Sequence, residues 1–443
     1  MQTVFKYLRR NFRLFFAVMF FLAFILNIAA QNQSGGWDLK SCIEYAIKNN
    51  ISLKNLRLNV SSGEQDLLMS KYAKHPSLSA GVSQSLTYNS DGSGYTSSSF
   101  GLNSAVVLYK GNYYNNDIKS NEFSLQAANL DVEAAENDIT LQITQAYLNV
   151  LLASENIEYV KDLAATSESQ VQQCKEKYNS GAVALKDLMQ LQSAMANDKY
   201  SLVTAENAKR QNILTLKKLL QLPTDTVFEI ATPDYVSTEI SVSPLDDVRK
   251  SALQSRPEIK SGEVLINKQN VELLKAKAGY LPTVSLGGSI GTGFSGISSE
   301  SPDPYFSQIA NNYNPSLGLT ISFPIFNRNS TRISVAKSKI ALEQTKLESV
   351  NTKTILMQEI EQAFISVQNA KSQFVAAVEQ FNYAKESYRI SAEQLKIGAN
   401  NNVEYLQQKN LYIQAQQMYL QSKYSMILYA KIYNFYKGIP VTD

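Results

Sequence analysis

Cysteine, histidine and tryptophan are nearly missing from this chain, whose 443 residues hold two, one and one of them. Two cysteines, Cys42 and Cys174, are too few for a disulfide framework, and each is expected to be a small buried or half-buried apolar residue. No His/Cys cluster with metal-ligand spacing occurs, so no metal, no cofactor and no catalysis are expected. The lone His75 precedes Pro76 and reads as a structural boundary residue. Beyond residue 30 there is also no apolar run of the ~18 residues that a membrane-spanning helix needs.

A basic stretch comes first. Lys6, Arg9, Arg10 and Arg13 precede an apolar run from Leu14 to Leu26 that ends in Ile28-Ala29-Ala30. That order predicts a secretory signal peptide over 1–30, with an uncleaved membrane anchor as the alternative. The remainder holds 38 basic and 39 acidic residues, so the surplus of positive charge belongs to the export segment. No nucleic-acid footprint remains. An exported chain without a spanning helix is either soluble or crosses the membrane as a β-barrel.

The rest is written twice. Gln145-Ala146-Tyr147 returns as Gln362-Ala363-Phe364, Gly181 as Gly398 and Leu222-Pro223 as Ile439-Pro440, all at an offset of 217. Leu39, Ala46 and Pro76 return as Leu245, Ala252 and Pro282 at an offset of 206. Repeats of this kind bury together what one unit cannot bury alone. The layout is a first structural repeat over 31–223, a connector over 224–243 and a second repeat over 244–443.

Each repeat opens on a predicted helix, 38–74 and 245–279, carried by apolar residues at helical spacing and closed before Pro76 and Pro282. The period then changes to two. Strands are predicted over 77–88, 100–109, 283–294 and 316–326, with residues 89–99 as a Gly/Ser-rich loop. Leu78, Val82 and Leu86 alternate with serines, as Leu317, Leu319, Ile321 and Phe323 alternate with Ser316, Gly318, Thr320 and Ser322. On the second strand Phe100, Leu102, Val106 and Leu108 share a face. The polar faces carry Ser, Thr and Gly but almost no Lys or Glu. Tyr88, Phe100, Tyr109, Tyr113, Tyr114, Phe294, Phe323 and Phe326 gather near strand ends, as an interfacial girdle would. Both features favour strands whose apolar face meets lipid over a soluble sheet with one wet face.

Very long helices follow. Residues 115–178 and 331–397 contain neither proline nor glycine. Gly181 and Gly398 then stop them, and helices resume, giving predicted hairpins over 115–221 and 331–437. Measured along helices at 1.5 Å per residue, Cys42 lies roughly 50 Å and Cys174 roughly 90 Å below the strands, so they should not pair. The fold class is therefore mainly α with a small transmembrane β part. Four strands cannot close an open-lumened barrel, since the smallest single-chain ones have eight. Closure must come from other subunits, and three copies supply twelve strands.

Trp37-Asp38-Leu39 through Asn50, His75-Pro76-Ser77-Leu78, Leu281-Pro282-Thr283-Val284, Leu108-Tyr109-Lys110-Gly111 and Phe323-Pro324-Ile325-Phe326 stand in order along this layout. With Tyr178-Asn179-Ser180-Gly181 and Leu395-Lys396-Ile397-Gly398, they make the chain resemble the TolC-type outer membrane efflux proteins, or outer membrane factors. The resemblance implies a homotrimer whose twelve-stranded barrel lies in outer membrane lipid and continues as a periplasmic α-helical barrel. It implies a periplasmic adaptor (membrane fusion) protein as partner, fed by an inner-membrane transporter of the RND, ABC or MFS type, with passive passage of substrate. The acidic positions that ring the periplasmic aperture in this family correspond to Glu404 and Asp187, and a second one corresponds to Gln407. Adaptor docking falls on the turns at Tyr178, Gly181, Leu395 and Gly398. Basic residues that some relatives carry after the second glycine are replaced by Asn400-Asn401-Asn402. The alternative is a soluble periplasmic coiled-coil scaffold or adaptor, which explains the hairpins but not the duplicated strands. Drug, metal and protein cargo stay open.

Overall fold

The computed structural model describes residues 36–90, 94–223, 225–231, 242–297 and 303–442, and the expected signal peptide lies outside them. Helices α1 (Leu39–Asn49) and α2 (Ile51–Tyr72) lead to strands β1 (Ser77–Tyr88) and β2 (Gly94–Lys110), then to α3 (Tyr113–Asn179) and α4 (Leu185–Leu220). The second set is α5 (Leu245–Ser255), α6 (Pro257–Ala278), β3 (Thr283–Ile297), α7 (Tyr305–Asn311), β4 (Asn314–Ser322), α8 (Ser330–Lys396) and α9 (Asn402–Lys437). Helices α3 and α8 have 67 residues each, about 100 Å at 1.5 Å per residue. Among the described residues no helix is apolar enough over its length to cross a membrane.

Each opening helix is broken, where periodicity predicts one piece over 38–74 and over 245–279. Asn50 has ψ 126°, and its side-chain oxygen accepts hydrogen bonds from the backbone N–H of Ser52 (2.8 Å) and Leu53 (3.3 Å). It is an N-cap that ends one helix and starts the next. In the second repeat Arg256 takes ψ 129° and Pro257 occupies the first helical position, where a missing N–H removes no helical bond. Apolar spacing runs on across both breaks, so periodicity alone hides them.

Strand bounds shift too. β2 begins at Gly94 rather than at residue 100, because Tyr95, Ser97 and Ser99 form one face of a strand whose composition resembles a loop. β4 ends at Ser322 rather than 326, before Pro324, which has no N–H for a ladder. The loop from β3 to β4 contains the short helix α7, which the sequence reading lacks. Of the connector, residues 225–231 run beside Trp37, whose N–H donates to Glu229 O (2.8 Å) while Ala231 N–H donates to Trp37 O (2.9 Å). Residues 232–241 lie outside the described ones.

The sheet has the order β1-β2-β3-β4, antiparallel throughout. Its register puts Leu78, Val82 and Leu86 on the same face as Phe100, Leu102, Leu286, Ile290, Leu317, Leu319 and Ile321. The other face is Ser, Thr, Gly and Asn nearly throughout. Two expectations are corrected. Leu108 does not share the face of Val106, because a bulge between Val107 and Tyr109 leaves it as the extra residue. Phe100 sits mid-strand opposite Val82, not at a strand end. Gly287-Gly288-Ser289-Ile290-Gly291 and Gly291–Gly296 spell a nucleophile-elbow and a dinucleotide pattern that the sequence reading overlooked, but both lie inside β3 with no turn into a helix.

Helices α2, α3, α6 and α8 stand side by side in the order of the strands they join. Farther from the sheet the row is α4, α3, α9 and α8. Apolar clusters fill the spaces between rows: Cys42, Ile43, Ala46, Tyr147 and Leu220 in the first repeat, and Val248, Ala252, Ile360, Val367 and Tyr433 in the second. Both cysteines are free and buried, as expected of packing residues. Asn50→Ala should lower stability by about 1 kcal/mol, the usual worth of an N-cap. Thermal unfolding followed by circular dichroism checks this, with Asn50→Asp retaining most of the wild-type stability.

Candidate functional site: the hairpin tips and the seam between them

Both hairpins turn the same way. Gly181 (φ 78°) and Gly398 (φ 77°) take the left-handed conformation that L residues avoid. Ala182 N–H donates to Lys177 O and Ala399 N–H to Gln394 O, each at 2.8 Å, which closes the last helical carbonyls. A Cβ at either glycine would meet no heavy atom within 4 Å, so conformation and not space requires them. Tyr178 is exposed, whereas Leu395 is half-buried against Val171, Leu188 and Tyr405.

Between the two tips lies a cleft of ≈ 830 Å³ with Gln173, Cys174, Lys177, Asp187, Glu393 and Asn402 on its walls. The Asn402 side-chain amide donates to Asp187 O (3.1 Å), tying one tip to the other. Glu404 is exposed, with its N–H donating to Asn401 Oδ1 (2.9 Å) and its carboxylate accepting from Gln408 (2.9 Å). Gln407 lies in a separate shallow groove with Gln190 and Leu411. Asp187 therefore lines the cleft, while Glu404 and Gln407 do not. Burial, followed by the charge of Asp187, raises the Cys174 thiol above its ordinary range, which keeps it protonated at neutral pH.

Helix α9 carries two stripes that periodicity places seven residues apart. The first is aromatic. Tyr405, Tyr412 and Tyr419 interleave with Tyr388, Phe381 and Phe374 of α8, with ring centroids 4.9–5.9 Å apart. Matching positions of the first hairpin are aliphatic or small: Ile157, Ala164, Val171, Leu188, Met195 and Leu202. Burial pushes the Tyr412 hydroxyl up to about 12 and raises Tyr405 as well, so both stay neutral.

The second stripe is polar and faces the first hairpin: Asn402, Lys409, Gln416 and Lys423. Lys409 is 2% exposed and Asp198 is 2% exposed, and they form an ion pair. Lys409 also donates to Ser167 Oγ (2.7 Å), so α3, α4 and α9 meet at one buried charge cluster. Higher up, Lys423 donates to both oxygens of Glu155 at 2.9 Å, and Tyr424 OH to one of them at 2.8 Å. Sequence reading missed this seam. The heptad spacing from 402 to 423 was legible, but a polar stripe looks the same whether it faces water or a second hairpin.

With that geometry in place, the sequence profile described as outer membrane efflux protein matches residues 42–221 and 248–428. The chain belongs to the outer membrane efflux protein family. It is 22% identical over 341 residues to outer membrane efflux protein BepC of Brucella suis biovar 1, covering 76% of this chain and 71% of that protein. It is 23% identical over 244 residues to toxin and drug export protein A of Aggregatibacter actinomycetemcomitans, covering 54% of this chain but only 49% of that one. Among solved structures, CusC, described for its transmembrane channel formation, superposes with a TM-score of 0.78 at 18% identity, covering 90% of this chain and 91% of that chain. Membership in the efflux family places the protein in the outer membrane, with its long helical part in the periplasm, and identifies it as no enzyme.

Lys409→Ala should cost this efflux protein about 3–5 kcal/mol, the usual penalty for leaving one buried charge unpaired. Lys409→Met combined with Asp198→Leu should recover most of that loss. Urea unfolding of the purified protein reads both.

Proposed function

We propose that three copies of this chain close into one outer membrane channel-tunnel that passively conducts substrates handed over by a periplasmic adaptor and an inner-membrane transporter. The observation that carries the reading is the pair of open edges. β1 and β4 each pair on one side only, and an unpaired backbone group in hydrocarbon costs several kcal/mol. Each edge continues into an outer helix with exposed apolar residues at heptad spacing: Ile51, Leu58 and Tyr72 on α2, and Ile333, Ile340 and Leu347 on α8. The two sides differ, so the contact is head-to-tail and forms a ring when the rotation closes. Three chains supply twelve strands, enough to enclose a lumen.

The hairpin tips are the proposed adaptor-docking surface through Tyr178, Gly181, Leu395 and Gly398, and Asp187 and Glu404 are the proposed acidic groups of the aperture. With Gln407 where a second acidic ring would stand, cation binding there is weak. Glu404→Gln should reduce block of the channel current by divalent cations, and Gln407→Glu should strengthen it. Unchanged block in both variants would remove Glu404 from the aperture.

The deciding measurement is the mass, by light scattering, of protein extracted in detergent from the outer membrane fraction. Three copies per particle are expected, and a soluble monomer or dimer in the periplasmic fraction would end the channel reading. Leu319→Arg, on the lipid side, should destabilise the folded barrel by about 2–4 kcal/mol. Thr320→Arg, on the opposite side, should cost much less, as urea titration in lipid would show.

A further inference from the structure

We infer that the barrel segment is an uncharged, glycine-widened bore that passes solutes regardless of the sign of their charge, so that charge selection of cargo is made in the helical tube. This rests on the membrane-channel reading above. Among the residues of β1–β4 the one charge is Lys110, the last residue of β2. The face opposite the leucines is mostly Ser, Thr, Gly and Asn, with Tyr95, Ala105 and Val107 among them and Lys110, opposite Thr283, at its end.

Its hydroxyls satisfy one another across strands, as in Ser83 with Ser99 and Ser289 with Ser316, both at 2.7 Å. That leaves a wettable surface with no charged ligand set. The nearest strand-end charge is Lys110. A twelve-residue strand spans about 40 Å, whereas the screening length at physiological ionic strength is about 8 Å. Charges at the barrel ends therefore do not reach its middle.

Glycines on this face align across strands. Gly81 pairs with Gly101, Gly101 with Gly291, and Gly287 with Gly318. None has a left-handed φ, and a Cβ at Gly81 or Gly318 would meet nothing within 4 Å. Within one chain, neither backbone conformation nor packing requires glycine at these two positions. What glycine does there is leave the bore wider by a side chain at two levels.

The test uses the full-length protein in proteoliposomes, with Thr320→Cys exposed to cationic (trimethylammonium) and anionic (sulfonate) ethyl-methanethiosulfonate from outside. Rates are normalised to a free thiol, and the wild type, whose Cys42 and Cys174 are buried, is the background. Both reagents should react, with normalised rates within threefold of each other. Adding Gly318→Lys should favour the anionic reagent more than threefold, Gly318→Glu the cationic one, and Leu319→Cys should stay unmodified. A larger bias in Thr320→Cys alone, no reaction, or no response to charge at 318 overturns the inference. Gly81→Cys gives the same readout from β1 if Thr320→Cys does not assemble. Wild-type protein that carries no current in planar bilayers would instead sink the channel reading itself.

Discussion

Unpaired backbone at the rim of the four-stranded sheet is the constraint from which the rest follows. A four-stranded sheet leaves N–H and C=O groups bare along β1 and β4, and hydrocarbon offers them no partner. The chain answers with geometry repeated in the helices. The order of α2, α3, α6 and α8 copies the order of the strands, so one surface runs from the barrel into the tube. Its two sides are complementary in kind, each a bare strand edge above an exposed apolar stripe. Without that continuity, closing the barrel would leave the helical wall open beneath it.

The wall itself divides its work between two stripes of α9. Rings packed between α8 and α9 make the second hairpin a rigid apolar pair, since stacked and tilted aromatics add to plain area burial. The seam toward the first hairpin is held instead by charges and amides: Lys409 with Asp198 and Ser167, Lys423 with Glu155, and Asn402 with the Asp187 carbonyl. Such contacts are directional and satisfied in one register, so they specify how the hairpins align more than they drive association. The duplication is thus complete in backbone and broken in side chains: where α9 has Lys409, the first repeat has Gln192 at the same offset.

Strand-to-helix passages show how little room the duplicated backbone leaves. Gly111 and Asn112 both have positive φ, as do Arg328 and Asn329, which stand 217 residues later. At Gly111 a Cβ would come within 2.8 Å of Leu281, a contact no real side chain tolerates. Arg328 accepts the same turn without glycine, at the cost of local strain. Both copies therefore send a long helix off the sheet in the same direction, and that shared direction lets the two hairpins lie alongside each other.

The repeat, the period-two strands, the glycine stops at 181 and 398 and the family were legible in the chain alone, because these depend on local spacing and on residue types that few conformations tolerate. The breaks at Asn50 and Arg256 were missed and the start of β2 misplaced, since apolar periodicity runs through a cap and a Ser/Gly strand face looks like a loop. Which polar residues are buried became visible with the packing of the helices. Lys409 and Asp198 lie 211 positions apart, and no local pattern distinguishes a charge facing water from one facing its partner on another helix. The packing of the hairpins also decides that Asp187 lines the cleft while Glu404 and Gln407 do not, because that depends on how the two hairpins meet and not on what either one contains.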